Sequence, residues 1–168
     1  MPVLRYRDHL PRLGSDVALE DEAYAIGDLT VNGPARFAAG AVVRADRAPI
    51  VVGPRCHIGH RSTVHVDSGH PTQIGADVWI GEDSVVHGCT IGDGVRVEDG
   101  GLVLRGSTVG AGSLVAADSL VPEGATFPAN SYIAGTPGRR QRDTTPEERE
   151  ETLRRTRSAL RTADQAPP

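Results

Sequence analysis

Apolar residues recurring at six-residue steps constrain this chain more than any other feature of it. The series runs Val31, Phe37, Val43, then Val52, Ile58, Val64, then Ile74, Ile80, Val86, and closes with Ile91, Val97, Val103, Val109, Val115 and Val121. The step is six within each group and 9, 10 and 5 between groups, so irregular corners separate regular coils. A period of six is three periods of two, the alternation of a β-strand whose every second side chain points inward. Small residues stand two positions before most of these anchors: Cys56, Ser84, Cys89, Ser107, Ser113 and Ser119. Three hexads close one triangular coil, with glycine tolerated at the tight turns between strands. The expected fold is an all-β solenoid, a left-handed parallel β-helix of hexapeptide repeats over residues 26–140.

The flanks read differently. Residues 1–25 are expected to form an irregular N-terminal segment, a short strand or flap broken by Pro2, Pro11 and Gly14. Residues 145–163 are expected to form a C-terminal α-helix. Thr145 is placed to cap it, Pro146 suits the first helical position, and Glu148 completes a capping box. Glu150/Arg154 and Glu151/Arg155 are favourable pairs four apart. Leu153 and Leu160 give a narrow apolar stripe to pack on the solenoid, and Gln165–Pro168 reads as a frayed end.

The chain has 168 residues, a net charge of −4 and a pI near 5.8, which argues against nucleic-acid or anionic-membrane binding. All 18 basic residues are arginine, which rules out a Schiff-base or P-loop lysine. No apolar run approaches the ~20 residues of a membrane span, and Met1–Arg7 lacks a hydrophobic signal region, so the expected location is cytoplasmic. Twenty glycines and 4% aromatics suit a turn-rich β fold.

Register places the candidate chemistry. His65 follows anchor Val64 and His87 follows anchor Val86, so both occupy the same corner one coil apart. Adjacent strands lie about 4.8 Å apart, and two imidazoles at that spacing can share a metal or simply stack. His60 and Glu82 each follow a second anchor by two residues, so they stack on a different corner, where the bland reading is an exposed charge pair. Two corners of one subunit are too far apart to share a small ligand. Association about a three-fold axis would bring one subunit's second corner to its neighbour's third. Cys56 and Cys89 fall at small inward positions and read as packing. His57 and His70 are weaker candidates, the latter in a short insertion that could overhang a site, and His9 gives no signal. Trp79 precedes an anchor and should point outward, which suits a subunit interface.

Four stretches carry a family resemblance: Val42–Ile50, Ser62–Val66, Val85–Gly92 and Ala134–Arg139. Over roughly residues 26–139 and the C-terminal helix, the chain resembles the gamma-class carbonic anhydrase-like proteins, trimeric left-handed β-helices with a zinc-type site between subunits. The resemblance implies hydration of carbon dioxide or a related small electrophile by water activated on zinc or another divalent metal. His65 and His87 match the two metal-binding histidines that share a subunit, and Arg44 and Asp46 match an Arg-x-Asp pair at the interface and active site. The third ligand, from the neighbouring subunit, is a histidine in the family and Glu82 here. The family's glutamine and acid before the first ligand are replaced by Gly59 and His60.

Three arrangements are compatible with these departures. Glu82 completes a two-histidine, one-carboxylate set; His60 is the third ligand, with Glu82 orienting it or acting as base; or the metal is lost and the pocket serves another purpose. The implied assembly is a homotrimer acting on a small molecule. The alternatives are a hexapeptide acyltransferase using acyl-CoA, with His87 or His60 as base, and a metal-free structural β-helix.

Overall fold

The computed structural model describes residues 2–163. The chain winds into a β-solenoid with three faces, each a ladder of short parallel strands. The first face stacks the early part of Tyr24–Val31 and of Val42–Val52 with Thr63–His65, Val85–His87, Leu102–Val103 and Leu120–Val121. The second continues from the later parts of the same two long strands through Thr72–Ile74, Thr90–Ile91, Thr108–Val109 and Thr126–Phe127. The third is an eight-stranded sheet from Val17–Leu19 to Ser131–Gly135, closed by Gly138–Asp143 running antiparallel.

Every anchor of the six-residue series lies in one continuous core, none more than 3% exposed. Full burial of each such side chain is worth about 1.5–3 kcal/mol, so the anchors jointly hold the register. A slip of one residue would turn every one of them outward. The small positions have a polar duty as well. Ser62 Oγ donates to the Gly81 carbonyl at 2.6 Å and accepts from the Ser84 N–H at 3.1 Å, so these buried hydroxyls link consecutive coils.

Residues 3–19, expected to form an irregular segment with a short strand or flap, supply three short strands that make a first coil. Val3–Leu4 and Arg12–Leu13 pair in parallel with Tyr24–Val31, and Val17–Leu19 pairs with Ala35–Phe37. Their corners are too uneven to show a period. The neighbouring coil, with its free backbone groups, sets their register.

Helix α1 (Pro146–Ala163) begins with the anticipated reciprocal cap: the Glu148 N–H donates to Thr145 Oγ1 at 3.1 Å, and the Thr145 N–H donates to the Glu148 carboxylate at 2.8 Å. Its buried stripe is a correction. Thr152, Thr156 and Ala159 face the solenoid, while Leu153 and Leu160 are only half-buried. Small side chains let the helix approach the third face closely, and the threonine hydroxyls are satisfied by helix carbonyls at 3.2 and 3.0 Å. Arg155 ties α1 down, pairing with Glu151 and with Glu98 of the solenoid, each at 3.1 Å. The residues expected to fray, Gln165–Pro168, lie outside the described residues. Among the described residues no helix is long and apolar enough to cross a membrane.

The cap gives a pH signature. Arg142 donates two hydrogen bonds to Glu148; with the Thr145 N–H they outweigh desolvation and hold its carboxyl at about 2. A depressed folded-state pKa contributes stability that is fully present above the unfolded value of about 4.3 and is lost as pH falls through the folded value. The stability gap between wild type and Glu148→Gln, measured by urea unfolding, should therefore be constant above about pH 5 and shrink between about pH 4 and 2.

Candidate metal centre

His65 and His87 owe their positions to the residues before them. Val64 and Val86 are wholly buried, so strand alternation drives the next side chain outward. The strands pair Val86 with Val64 and His87 with His65, as the register requires. The two imidazoles lie 5.2 Å apart between centroids, at 82° to one another. Gly88 follows in a left-handed conformation (φ 56°), and a Cβ there would come within 3.0 Å of His70, so glycine is needed beneath the overhanging Asp67–His70 turn.

Arg44 and Asp46 sit on the coil before His65. Asp46 is nearly buried, its side chain 5% exposed, and its carboxylate receives His65 Nε2 at 2.9 Å and Arg44 at 2.8 Å. Burial pushes the Asp46 carboxyl up, but the His65 hydrogen bond and the charges of His65 and Arg44 outweigh it and hold the carboxyl below its ordinary value. Asp46 accepts from His65 Nε2, which fixes the orientation of the ring and leaves Nδ1 as the nitrogen not bonded to the carboxylate. Burial, then repulsion from His65, pushes His87 below the usual histidine value, leaving a neutral imidazole with a free lone pair. A cleft of about 390 Å³ opens beside His87, walled by Leu104 and by Arg105, which is held between Asp67 at 3.3 Å and Glu123 at 3.2 Å.

The other corner differs from expectation in its pairing. His60 and Glu82 are one coil apart, the Asp83 N–H donating to the His60 carbonyl at 2.9 Å. Yet Glu82 pairs with Arg61 at 3.3 Å, not with His60. The longer, permanently charged Arg61 also takes Asp83 at 2.8 Å, outcompeting an imidazole for both carboxylates. Arg61 was missed from sequence because it stands at a corner, where reach rather than register selects the partner. Within one chain, then, the fold brings His65, His87, Asp46 and Arg44 to one corner and stacks Glu82 on His60 at another. Among the described residues no three His, Cys, Asp or Glu groups converge closely enough to hold a metal.

The remaining candidates sort quickly. Trp79 points outward as expected, but it is half-buried under α1, stacked on His57 at 4.1 Å with Arg155 5.8 Å from its ring, and is no open interface residue on this chain. His9 is exposed, 3.7 Å from Asp28.

The chain is similar to known proteins in both sequence and fold. Residues 71–105 match the model of the family described as bacterial transferase hexapeptide (six repeats). The chain is 44% identical over 136 residues to "Probable carbonic anhydrase" of Methanocaldococcus jannaschii, covering 81% of this chain and 86% of that protein. It is 33% identical over 147 residues to the mitochondrial gamma carbonic anhydrase 1 of Arabidopsis thaliana, covering 84% of this chain and 54% of that one. Among solved structures, a hexapeptide transferase family protein from Anaplasma phagocytophilum superposes with a TM-score of 0.92 at 28% identity, covering 98% of both chains. Fold and repeat make this a hexapeptide-repeat β-solenoid. Within that class, the chain belongs to the gamma carbonic anhydrase-like family.

The cysteines give a direct check on packing. Cys56 and Cys89 are buried, and burial pushes both thiols up to about 12, which suppresses the reactive thiolate. A thiol-specific colorimetric reagent at pH 8 should leave both unmodified in the folded protein and titrate both after denaturation. Rapid labelling of either in the native state would contradict the packing assigned to them.

Proposed function

We propose that this chain is a metal-dependent lyase of the gamma carbonic anhydrase type, adding water to carbon dioxide or a related small electrophile at a site completed between subunits of a homotrimer. The observation that carries the proposal is the His65–His87 pair, adjacent in register, with His65 anchored through Asp46 to Arg44. The donor set fits a divalent cation such as zinc: two imidazoles adjacent on one corner, one of them held in place by a carboxylate behind it. In this reading Glu82 of the partner subunit is the third protein ligand, in place of the family's histidine. When bound, the metal would supply an activated water at neutral pH.

The protein's own groups do the rest. Asp46 fixes the orientation of His65, and Arg44 keeps Asp46 ionised. The cleft beside His87, with Leu104 on one wall, admits a small apolar electrophile. Gly59 provides no side chain where the family carries a positioning glutamine. Proton acceptance near the site falls to His60, where the family has an acid.

A hexapeptide acyltransferase is the second reading, favoured by the close superposition on a hexapeptide transferase family protein. Both readings face one experiment. Protein purified without chelators should carry close to one divalent metal per subunit and hydrate carbon dioxide in stopped flow. His87→Ala should lower both metal content and rate at least about tenfold. Acyl-CoA at 1 mM should leave the melting temperature unchanged, because a ligand bound only by the native state must raise it. Less than a tenth of an equivalent of metal, with a clear rise on acyl-CoA, would replace the first reading by the second.

A further inference from the structure

The strongest feature beyond the imidazole pair is the cleft between α1 and the third face, whose rim shares Glu82 with the proposed metal site. It has a volume of about 390 Å³, and its lining includes His57, Trp79, Arg36, Arg155, Glu82 and Asp99. His57 and Trp79 occupy consecutive outward positions of the ladder, where a solvated face would ordinarily carry polar or small side chains. Instead the rings stack at 4.1 Å, and His57 is only 6% exposed.

Two nitrogens there have no hydrogen-bond partner, His57 Nδ1 and Trp79 Nε1. Leaving a buried polar group unpaired costs about 1–3 kcal/mol, so each such atom calls for an explanation. Trp79 Nε1–H can only donate. Burial, with repulsion from Arg36 and His60, pushes His57 down to about 4, so its imidazole is neutral. The arginines are donors too, Arg36 paired with Glu20 and Arg155 with Glu98 and Glu151. The cleft is graded in polarity: its buried end holds the Trp79 N–H donor and His57 Nδ1, which donates when it carries the ring proton, while its exposed rim carries the carboxylates of Glu82, paired with Arg61, and Asp99, whose Oδ1 accepts from the Glu82 N–H at 2.8 Å.

We propose that this cleft is a second ligand site, for a small zwitterion of the amino-acid class. Its carboxylate would lie inward against the His57–Trp79 edge and its ammonium outward between Glu82 and Asp99. A ligand with only one of the two charges meets half of this complement. Both unpartnered nitrogens are sealed beneath α1, so the proposed ligand would reach them only if the helix yields. The site stands without the metal reading, although Glu82 belongs to both.

Trp79 is the chain's single tryptophan, so its emission reports on this cleft alone. Glycine or alanine should change it saturably, with half-saturation of about 1–10 mM, as suits a ligand of so few atoms. Acetate and ethylamine should need at least about tenfold more. His57→Phe keeps a ring against Trp79 but removes both nitrogens, and should raise the glycine half-saturation about tenfold. Asp99→Asn, at the exposed rim, should shift it the same way and reads the site even where His57→Phe fails to fold. The proposal is overturned by the lack of a saturable response to glycine, by acetate acting as well as glycine, or by unchanged binding in Asp99→Asn.

Discussion

Burial of one aliphatic side chain every sixth residue is the constraint on which the rest of this structure depends. Each anchor is too costly to expose, and the strand period is two, so fixing the anchors fixes the facing of every residue between them. That is how residues 22 apart in sequence, His65 and His87, come to be direct neighbours. The fold spends no special device on bringing them together; it repeats a register. Serines at the small inward positions reinforce it by bonding to carbonyls of the adjacent coil.

The same constraint explains why the proposed site would be divided between subunits. A triangular coil presents its corners in different directions, so His65 and His87 on one corner cannot meet Glu82 on another. Side-by-side packing of solenoids about a three-fold axis resolves this, and in the proposed trimer each site draws on two subunits. Asp46 and Arg44 matter for a reason internal to the chain: they hold His65 in its orientation beside His87. In that proposed trimer, Glu82 in place of the expected histidine would exchange a neutral donor for an anionic one and place a charge where the partner approaches.

Legibility from sequence followed the range of the interaction concerned. The anchors, the His65–His87 stack, the stacking of Glu82 on His60 and the Thr145–Glu148 cap rest on register or on neighbours three residues apart, and the structure reproduces them. Where reach decided, register misled. Arg61 takes Glu82 because a long guanidinium side chain at a corner outreaches His60. The helix turns Thr152, Thr156 and Ala159 to the solenoid, not its leucines, because close approach to a flat face favours small side chains. The first coil was hidden because its strands borrow their register from the coil beside them. His57 and Trp79 appeared as ordinary outward positions; only the placement of α1 over them reveals a buried pair with unpartnered nitrogens.

The central claim is that Glu82 of one subunit completes the histidine pair of its neighbour. It is tested most directly by mixing two variants, Glu82→Ala and His87→Ala, each disabled for metal binding, and reassembling them from denaturant in equal amounts. A site shared across the interface is restored wherever a Glu82→Ala subunit offers its histidines to the intact Glu82 of a His87→Ala neighbour. Random assembly makes that about one site in four, by the closed cyclic geometry in which every subunit faces one neighbour. The account predicts metal content, by mass spectrometry of the mixed trimers, near a quarter of the wild-type value. Metal no higher than in either variant alone would contradict it.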